Sequence, residues 1–281
     1  MGIPPDAGDV LTRSAPPADF VLSYGSGADH VAEVRLPALG ARPAPLIVFL
    51  HGGFWRVAYD RAHAGPLAAA LAAEGYAVCV PEFRRTGQEG GGWPGTFDDV
   101  AAAVDHLPAQ VPQEAGPAVI SNEPVLLAGH SAGGHLALWA AGRHLLPPDS
   151  AWHSKNRARG VVALAPVSDL AACHEQGLGN GAAALLMAGG PDEFADRYRS
   201  ADPALVLPLG CPVRLVHGSQ DDTVPCAMSR EYAKKAQAAG DETSLDELGG
   251  TGHFEVIDPL SAAWSRVLAA FAALARPRFG T

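Results

Sequence analysis

Two hydrophobic rhythms take turns along the chain. Leu46–Leu50, Tyr76–Val80, Val125–Ala128 and Gly160–Ala165 are short apolar runs, the pattern of strands covered on both faces, and Val213–Val216 reads as one more strand. Val31–Leu36 alternates apolar and polar residues, as a half-exposed antiparallel strand does, and Thr243–Leu248 reads as a last strand. Helical patterns fill the intervals: Arg61–Glu74, Phe97–Leu107 with Thr96 as N-cap, the Ala-rich stretch after Gly133, Pro225–Ala238 and Pro259–Ala275. This alternation predicts an α/β fold with a mostly parallel central sheet of about eight strands, flanked by helices on right-handed crossovers. Residues 170–208 break the rhythm. They hold no strong strand, carry Gly177, Gly179, Gly181, Gly189 and Gly190, and include one helix candidate, Ala182–Met187. They are expected to form a helical insert over the C-terminal edge of the sheet. Residues 1–20, rich in Pro, Ala and Asp, read as a flexible arm, which leaves 21–281 as a single domain.

Composition narrows the class. With 281 residues, 48% hydrophobic and 18% charged, the chain can bury a full core. A net charge of -10 argues against a nucleic-acid or anionic-membrane surface, which needs a basic stripe. The start, Met1-Gly-Ile-Pro-Pro-Asp6, lacks the basic and apolar regions of a signal peptide, and Asp6 breaks a myristoylation pattern. No apolar run reaches membrane-spanning length. Cys79, Cys173, Cys211 and Cys226 are scattered, with no zinc or redox spacing. A cytoplasmic enzyme acting on a small molecule is the expected context. A homodimer is compatible with the sequence, which has no feature that requires one.

The chemistry centres on Gly129-His-Ser-Ala-Gly133, which fits G-x-S-x-G between an apolar strand and an Ala-rich helix. In that setting the pattern marks a nucleophile elbow, with Ser131 on a turn so tight that its neighbours must lack bulk. A serine hydroxyl is a weak nucleophile and needs a base, which in turn needs a group to orient it. In this kind of sheet the order along the chain is Ser, acid, His. Asp221 and Asp222 follow the Val213–Val216 strand, in His217-Gly-Ser-Gln-Asp-Asp-Thr-Val-Pro225, and His253 follows the last strand in a glycine-rich loop. Asp221, fifth in H-G-x-x-D, is the preferred acid, with Asp222 as the alternative. Asp169, also beyond a strand, comes one crossover too early and reads as structural. Of the 11 histidines, only His253 has both the order and the loop setting of the base. His51 and His130 sit in motifs where the ring shapes a loop, and His217 reads as buried and satisfied. The oxyanion needs backbone donors: Ala132 N–H after the nucleophile, and the Gly52–Gly53 region after the Leu46–Leu50 strand.

From about residue 20 to 275 the chain resembles the α/β-hydrolase superfamily. Within it, His51-Gly52-Gly53-Phe54-Trp55 resembles the H-G-G-x-W motif with which kynurenine formamidases (arylformamidases) build the oxyanion hole. The related lipase-like esterases carry H-G-G-G, and Phe54 departs from that. Esterases of small acyl groups, feruloyl-type enzymes included, have similar H-G-G-x-W loops. The resemblance implies hydrolysis of N-formyl-L-kynurenine to kynurenine and formate through a formyl-serine, with no metal or organic cofactor. The alternative is a carboxylesterase for short-chain or aryl esters, with the same residues. A non-catalytic receptor on this fold would lack a member of the set, and none is lacking here. Phe54, Trp55 and His130 are the candidate substrate contacts. The aromatics, with Trp93, either form a wall for an aryl group or pack in the core. Glu82, Arg84 and Arg85 are further options for a substrate's charged groups.

Overall fold

The computed structural model describes residues 8–38, 43–116, 119–121 and 123–275. Two short antiparallel strands come first, β1 (Phe20–Ser23) and β2 (Val31–Arg35). Then follow β3 (Leu46–Leu50), α1 (Gly65–Ala73), β4 (Ala77–Pro81), α2 (Gly95–Ala115), β5 (Leu126–His130) and α3 (Ala132–Gly142). The second half holds β6 (Gly160–Leu164), α4 (Leu170–Glu175), α5 (Leu178–Met187), α6 (Ala195–Ala201), β7 (Val213–Gly218), α7 (Cys226–Ala238), β8 (Thr243–Leu248) and α8 (Trp264–Ala275). Among the described residues these eight strands form one sheet, in the order β1-β2-β4-β3-β5-β6-β7-β8, parallel from β4 to β8.

The apolar runs are continuous because each strand feeds two cores. Val48, Leu50, Leu127, Val161 and Ala163 face a layer that includes α2, α3 and α7. Their neighbours Ile47, Phe49, Leu126, Ala128, Val162 and Leu164 face Leu67 and Leu71 of α1 and Val267 and Phe271 of α8. Successive side chains point to opposite faces of a strand, so one run supplies both layers. Each fully buried Leu, Ile, Val or Phe contributes about 1.5–3 kcal/mol.

Several boundaries differ from expectation. The Arg61–Glu74 helix begins as a 3-10 turn, Arg61–Ala64, capped by Asp60, whose carboxylate accepts from Ala62 N at 2.9 Å. Thr96 is not an N-cap. α2 starts at Gly95, and the Thr96 hydroxyl donates to Arg84 O at 2.6 Å. α2 also runs through Pro108 and Pro112, because burial of Leu107 and Val111 outweighs the lost backbone bonds. The last helix begins at Trp264 rather than Pro259. The N-terminal arm is docked from residue 8 onward: Val10 is buried and Arg13 pairs with Asp258. Residues 1–7 lie outside the described residues. Residues 170–208 hold the helices α4, α5 and α6 and no strand, as expected. The two ends of this insert meet, since Asp202 Oδ2 accepts from Ala171 N at 3.2 Å.

The topology fixes where a site can form. From β3 the chain goes outward to β4 and returns to β5 on the other side of β3. The crevice between the C-terminal ends of β3 and β5 is therefore the switch point, where sheets of this kind bind ligands. Leu50 pairs with Gly129 there, which sets the His51–Trp55 loop beside Ser131.

Candidate active site

The β5–α3 turn is strained, and its neighbours explain how it persists. Ser131 sits at φ 55° and ψ -120°, a region that costs a non-glycine residue about 1–3 kcal/mol. Its N–H donates to Leu164 O at 2.9 Å, and its carbonyl accepts from Val167 N and His135 N, both at 3.1 Å. The flanking glycines have no room for a side chain. A Cβ on Gly133 would lie 2.0 Å from Leu50 O, and one on Gly129 would lie 2.2 Å from Gly133 O. Ala132, the first residue of α3, is one whose N–H has no partner within the helix, at the end that favours negative charge.

Asp221 and His253 meet across two loops. The Asp221 side chain is fully buried. Its Oδ1 accepts from Thr223 N at 2.9 Å and Val224 N at 2.8 Å, and its Oδ2 lies 2.6 Å from His253 Nδ1. Burial alone would push this carboxyl up, but the hydrogen bonds from His217 and His253 outweigh it and hold the group well below the usual carboxylate range. Asp222, the alternative, is exposed, and its carboxylate accepts from Thr223 Oγ1. The loops are tied by Gln220 N, which donates to Thr251 O at 2.9 Å. His253 is 4% exposed and engages Asp221 through Nδ1.

His130 joins the two halves. It precedes Ser131, its ring centroid lies 4.5 Å from that of His253, and its Nε2 donates to His253 O at 3.0 Å. Burial, then the neighbouring His253, lowers its pKa well below the ordinary value, so the ring is neutral near pH 7. It is 2% exposed. His130 therefore braces the His253 loop from beneath.

The His51–Trp55 loop is held from several sides. His51 stacks on Phe83 with centroids 4.4 Å apart, and its Nε2 lies 2.8 Å from Glu82 Oε1. Burial works against the Glu82 carboxylate, yet the bond from His51 keeps its pKa lowered. Gly53, Phe54 and Trp55 have φ of 109°, 50° and 55°, so the loop winds left-handed through three residues. Thr86 secures Trp55 O through N at 2.7 Å and Oγ1 at 2.8 Å. A Cβ on Gly52 would lie 3.3 Å from Ser131 Cβ, so this loop lies directly against the elbow.

Trp55 is 1% exposed and packs edge-on to His135 in the core, so burial removes it from the substrate contacts. Trp93 likewise packs against Phe97 and Trp152. Phe54 remains half-buried, its ring against Gly179 of the insert. Glu82 and Arg85 pair with each other and Arg84 pairs with Asp99, so all three are committed within the protein. Asp169 caps α4 through Ala172 N and pairs with Lys235, the structural role expected. One contact that the sequence did not signal is Arg56, whose Nη2 donates to Gly179 O at 2.5 Å and Asn180 O at 3.2 Å. It ties the glycine-rich start of α5 to the His51–Trp55 loop.

Residues 32–236 match the BD-FAE family. The chain belongs to the BD-FAE family. It is 24% identical to the kynurenine formamidase of Danio rerio over 90% of this chain and 80% of that one. It is 26% identical to the esterase LipC of Mycobacterium tuberculosis over 84% of this chain, which spans 59% of that relative. Among solved structures, a truncated carbohydrate esterase from gut microbiota has a TM-score of 0.75 at 20% identity, covering 92% of this chain and 99% of that one. Esterase B of Lactobacillus rhamnosis has a TM-score of 0.74 at 21% identity, covering 96% and 90%. The fold of this BD-FAE member is that of the α/β-hydrolases.

Proposed function

We propose that this serine hydrolase cleaves N-formyl-L-kynurenine, using Ser131 as nucleophile, His253 as base and Asp221 as the acid that orients it. The observation that carries the reading is the buried Asp221–His253 couple, 2.6 Å apart, on loops braced to the residue before a strained serine. With His253 Nδ1–H donating to Asp221, its Nε2 is the nitrogen that accepts the Ser131 proton. Ser131 Oγ attacks the formyl carbon, and the oxyanion is stabilised by Ala132 N–H and the Gly53 region. The imidazolium is stabilised by the adjacent carboxylate and gives its proton to the departing aryl amine, which would be a very poor leaving group as an anion. Water, deprotonated by His253, then releases formate from the formyl-serine and restores the hydroxyl. Phe54, the loop aromatic that stays half-buried, supports contact with an aryl group. Similarity to the Danio rerio kynurenine formamidase supports the amide.

A second reading, hydrolysis of short-chain or aryl esters, draws support from the esterase relative and from the ester-cleaving proteins that share the fold. One experiment separates the two. Turnover of N-formyl-L-kynurenine is compared with that of p-nitrophenyl acetate and butyrate, in intact enzyme and in Ser131→Ala. Fast, Ser131-dependent formamide cleavage is expected. Rapid ester turnover with negligible formamide cleavage would replace the first reading by the second.

A further inference from the structure

Behind the Asp221–His253 couple lies a second imidazole that the proposed reaction leaves idle. His217 is fully buried on β7. Its Nε2 lies 2.9 Å from Val224 O and 3.1 Å from Asp221 Oδ2. A carbonyl oxygen and an ionised carboxylate oxygen are both pure acceptors, so Nε2 carries a hydrogen. The other nitrogen, Nδ1, lies 2.7 Å from Ser229 Oγ of α7, which is fully buried as well. A hydroxyl rotates to suit its neighbour and can donate to Nδ1. The ring is thereby satisfied in the one neutral tautomer that presents N–H to the carboxylate.

The Asp221 carboxylate then has four donors for its four acceptor positions. Thr223 N and Val224 N meet Oδ1 and His253 Nδ1 meets Oδ2, while the His217 Nε2–H, shared with Val224 O at 2.9 Å, lies 3.1 Å from Oδ2. The two backbone donors fix one oxygen. His217 fixes the angle of the other and takes a share of the charge that His253 would otherwise receive alone.

We propose that His217 is a positioning residue for hydrolysis: its Nε2–H holds Asp221 Oδ2 in line with His253, and Ser229 holds His217 in the tautomer that can do so. This rests on the roles given above to Ser131, Asp221 and His253. It assigns work to the first residue of H-G-x-x-D, nine places before the first residue of α7, and to a serine on a different element.

The consequence is read in the pH profile. Without the His217 donor, the charge on Oδ2 is left to His253, which holds its proton to higher pH. The acidic limb of kcat/KM, which reports the free enzyme's base, moves up. The other titratable groups around the couple are His130 on β5, Cys226 and Arg230 on α7, and Glu247 on β8. Glu247 is paired with Arg230 at 2.5 Å, and none of these four is altered by the variants below.

The test uses the full chain with p-nitrophenyl acetate across pH 4–9, a range that brackets the titration of an ordinary histidine at about 6.5. His217→Phe is expected to shift the acidic limb up by about 0.5–1 unit and to lower kcat about 10–100-fold, the range found for partners that orient a reacting group. His217→Gln, whose side-chain amide reaches the Nε2 position, is expected to bring the limb back toward wild type. Ser229→Ala is expected to shift it in the same direction as His217→Phe, by less. A limb that stays in place in the Phe and Ala variants overturns the proposal, even where kcat falls, since a merely structural residue would lower activity without moving it. If the Phe variant does not fold, the limb of Ser229→Ala decides. Ser131→Ala and His253→Ala run alongside: full activity in either would fell the site assignment itself, a result distinct from an unmoved limb.

Discussion

Replacing Asp221 by Asn changes one atom, and the structure fixes what that atom meets. The carboxylate accepts Thr223 N and Val224 N on Oδ1, and His253 Nδ1 and His217 Nε2 on Oδ2. If the Asn oxygen keeps the two backbone donors, its NH₂ faces two imidazole N–H groups. His253 relieves the conflict by moving its hydrogen to Nε2, and it then has no lone pair with which to take the Ser131 proton. Loss of the correct tautomer in a triad of this kind lowers kcat about 10⁴-fold, or about 5 kcal/mol of transition-state stabilisation at about 1.4 kcal/mol per factor of ten. If the amide turns the other way, the NH₂ opposes Thr223 N and Val224 N, and each buried donor left unpaired costs about 1–3 kcal/mol. The variant therefore loses activity in one orientation and stability in the other. The assay is kcat/KM on p-nitrophenyl acetate together with thermal denaturation. Asp222→Asn is the control, since that side chain is exposed and bonds Thr223 Oγ1; about twofold change or less is expected. Asp221→Asn with activity within tenfold of wild type and an unchanged melting temperature would refute the reasoning.

Gly133→Ala should yield little folded protein on expression, because the new Cβ would stand 2.0 Å from Leu50 O and 2.4 Å from His51 O, both backbone atoms. Soluble, active Gly133→Ala would contradict the elbow geometry. Arg56→Ala should speed proteolytic cleavage within 176–194 and raise KM about tenfold, with kcat less affected, because two bonds from Arg56 hold Gly179 and Asn180 to the His51–Trp55 loop. Limited proteolysis and steady-state kinetics check it. Burial, with the nearby Asp169, pushes the Asp202 carboxyl up to about 7. At this group the folded chain keeps a proton that the unfolded chain releases near pH 4, so its contribution to stability falls as pH rises from about 4 to 7, by as much as a few kcal/mol. Buried His63, His130 and His135, with lowered pKa, act in the opposite sense in both proteins, so the test is the difference: the melting temperature of wild type relative to Asp202→Asn should fall across that window, and a constant difference would count against the shift.

The parts of the fold that the sequence made legible are those with one strong period. Strands β3, β4 and β6 are apolar throughout, and β5 is apolar up to His130, because two cores compete for alternate residues of each. β1 is less legible, since its apolar run, Phe20-Val21-Leu22, is only three residues long and directly follows a Pro-rich stretch. α2 outran its expected end because Leu107 and Val111 pack where local rules place a stop at Pro108. In the site, G-x-S-x-G, H-G-x-x-D and the chain order of strand-end loops brought out Ser131, Asp221 and His253, and the structure places Asp221, not Asp222, against His253. The substrate contacts were less legible. The same H-G-G-F-W letters suit a wall or a core, and burial separates Trp55 from Phe54. Arg56 gave no signal at all, because its partners are backbone carbonyls some 120 residues away.

The meeting of Asp202 with Ala171 has an evolutionary corollary. The 30 residues between Ala171 and Asp202 leave and rejoin the scaffold at nearly one point, so their length can grow, shrink or be exchanged at a small entropic penalty and with the strands undisturbed. The segment that packs on Phe54 through Gly179 can thus be exchanged as one closed unit, while the Asp221–His253 couple stays where it is.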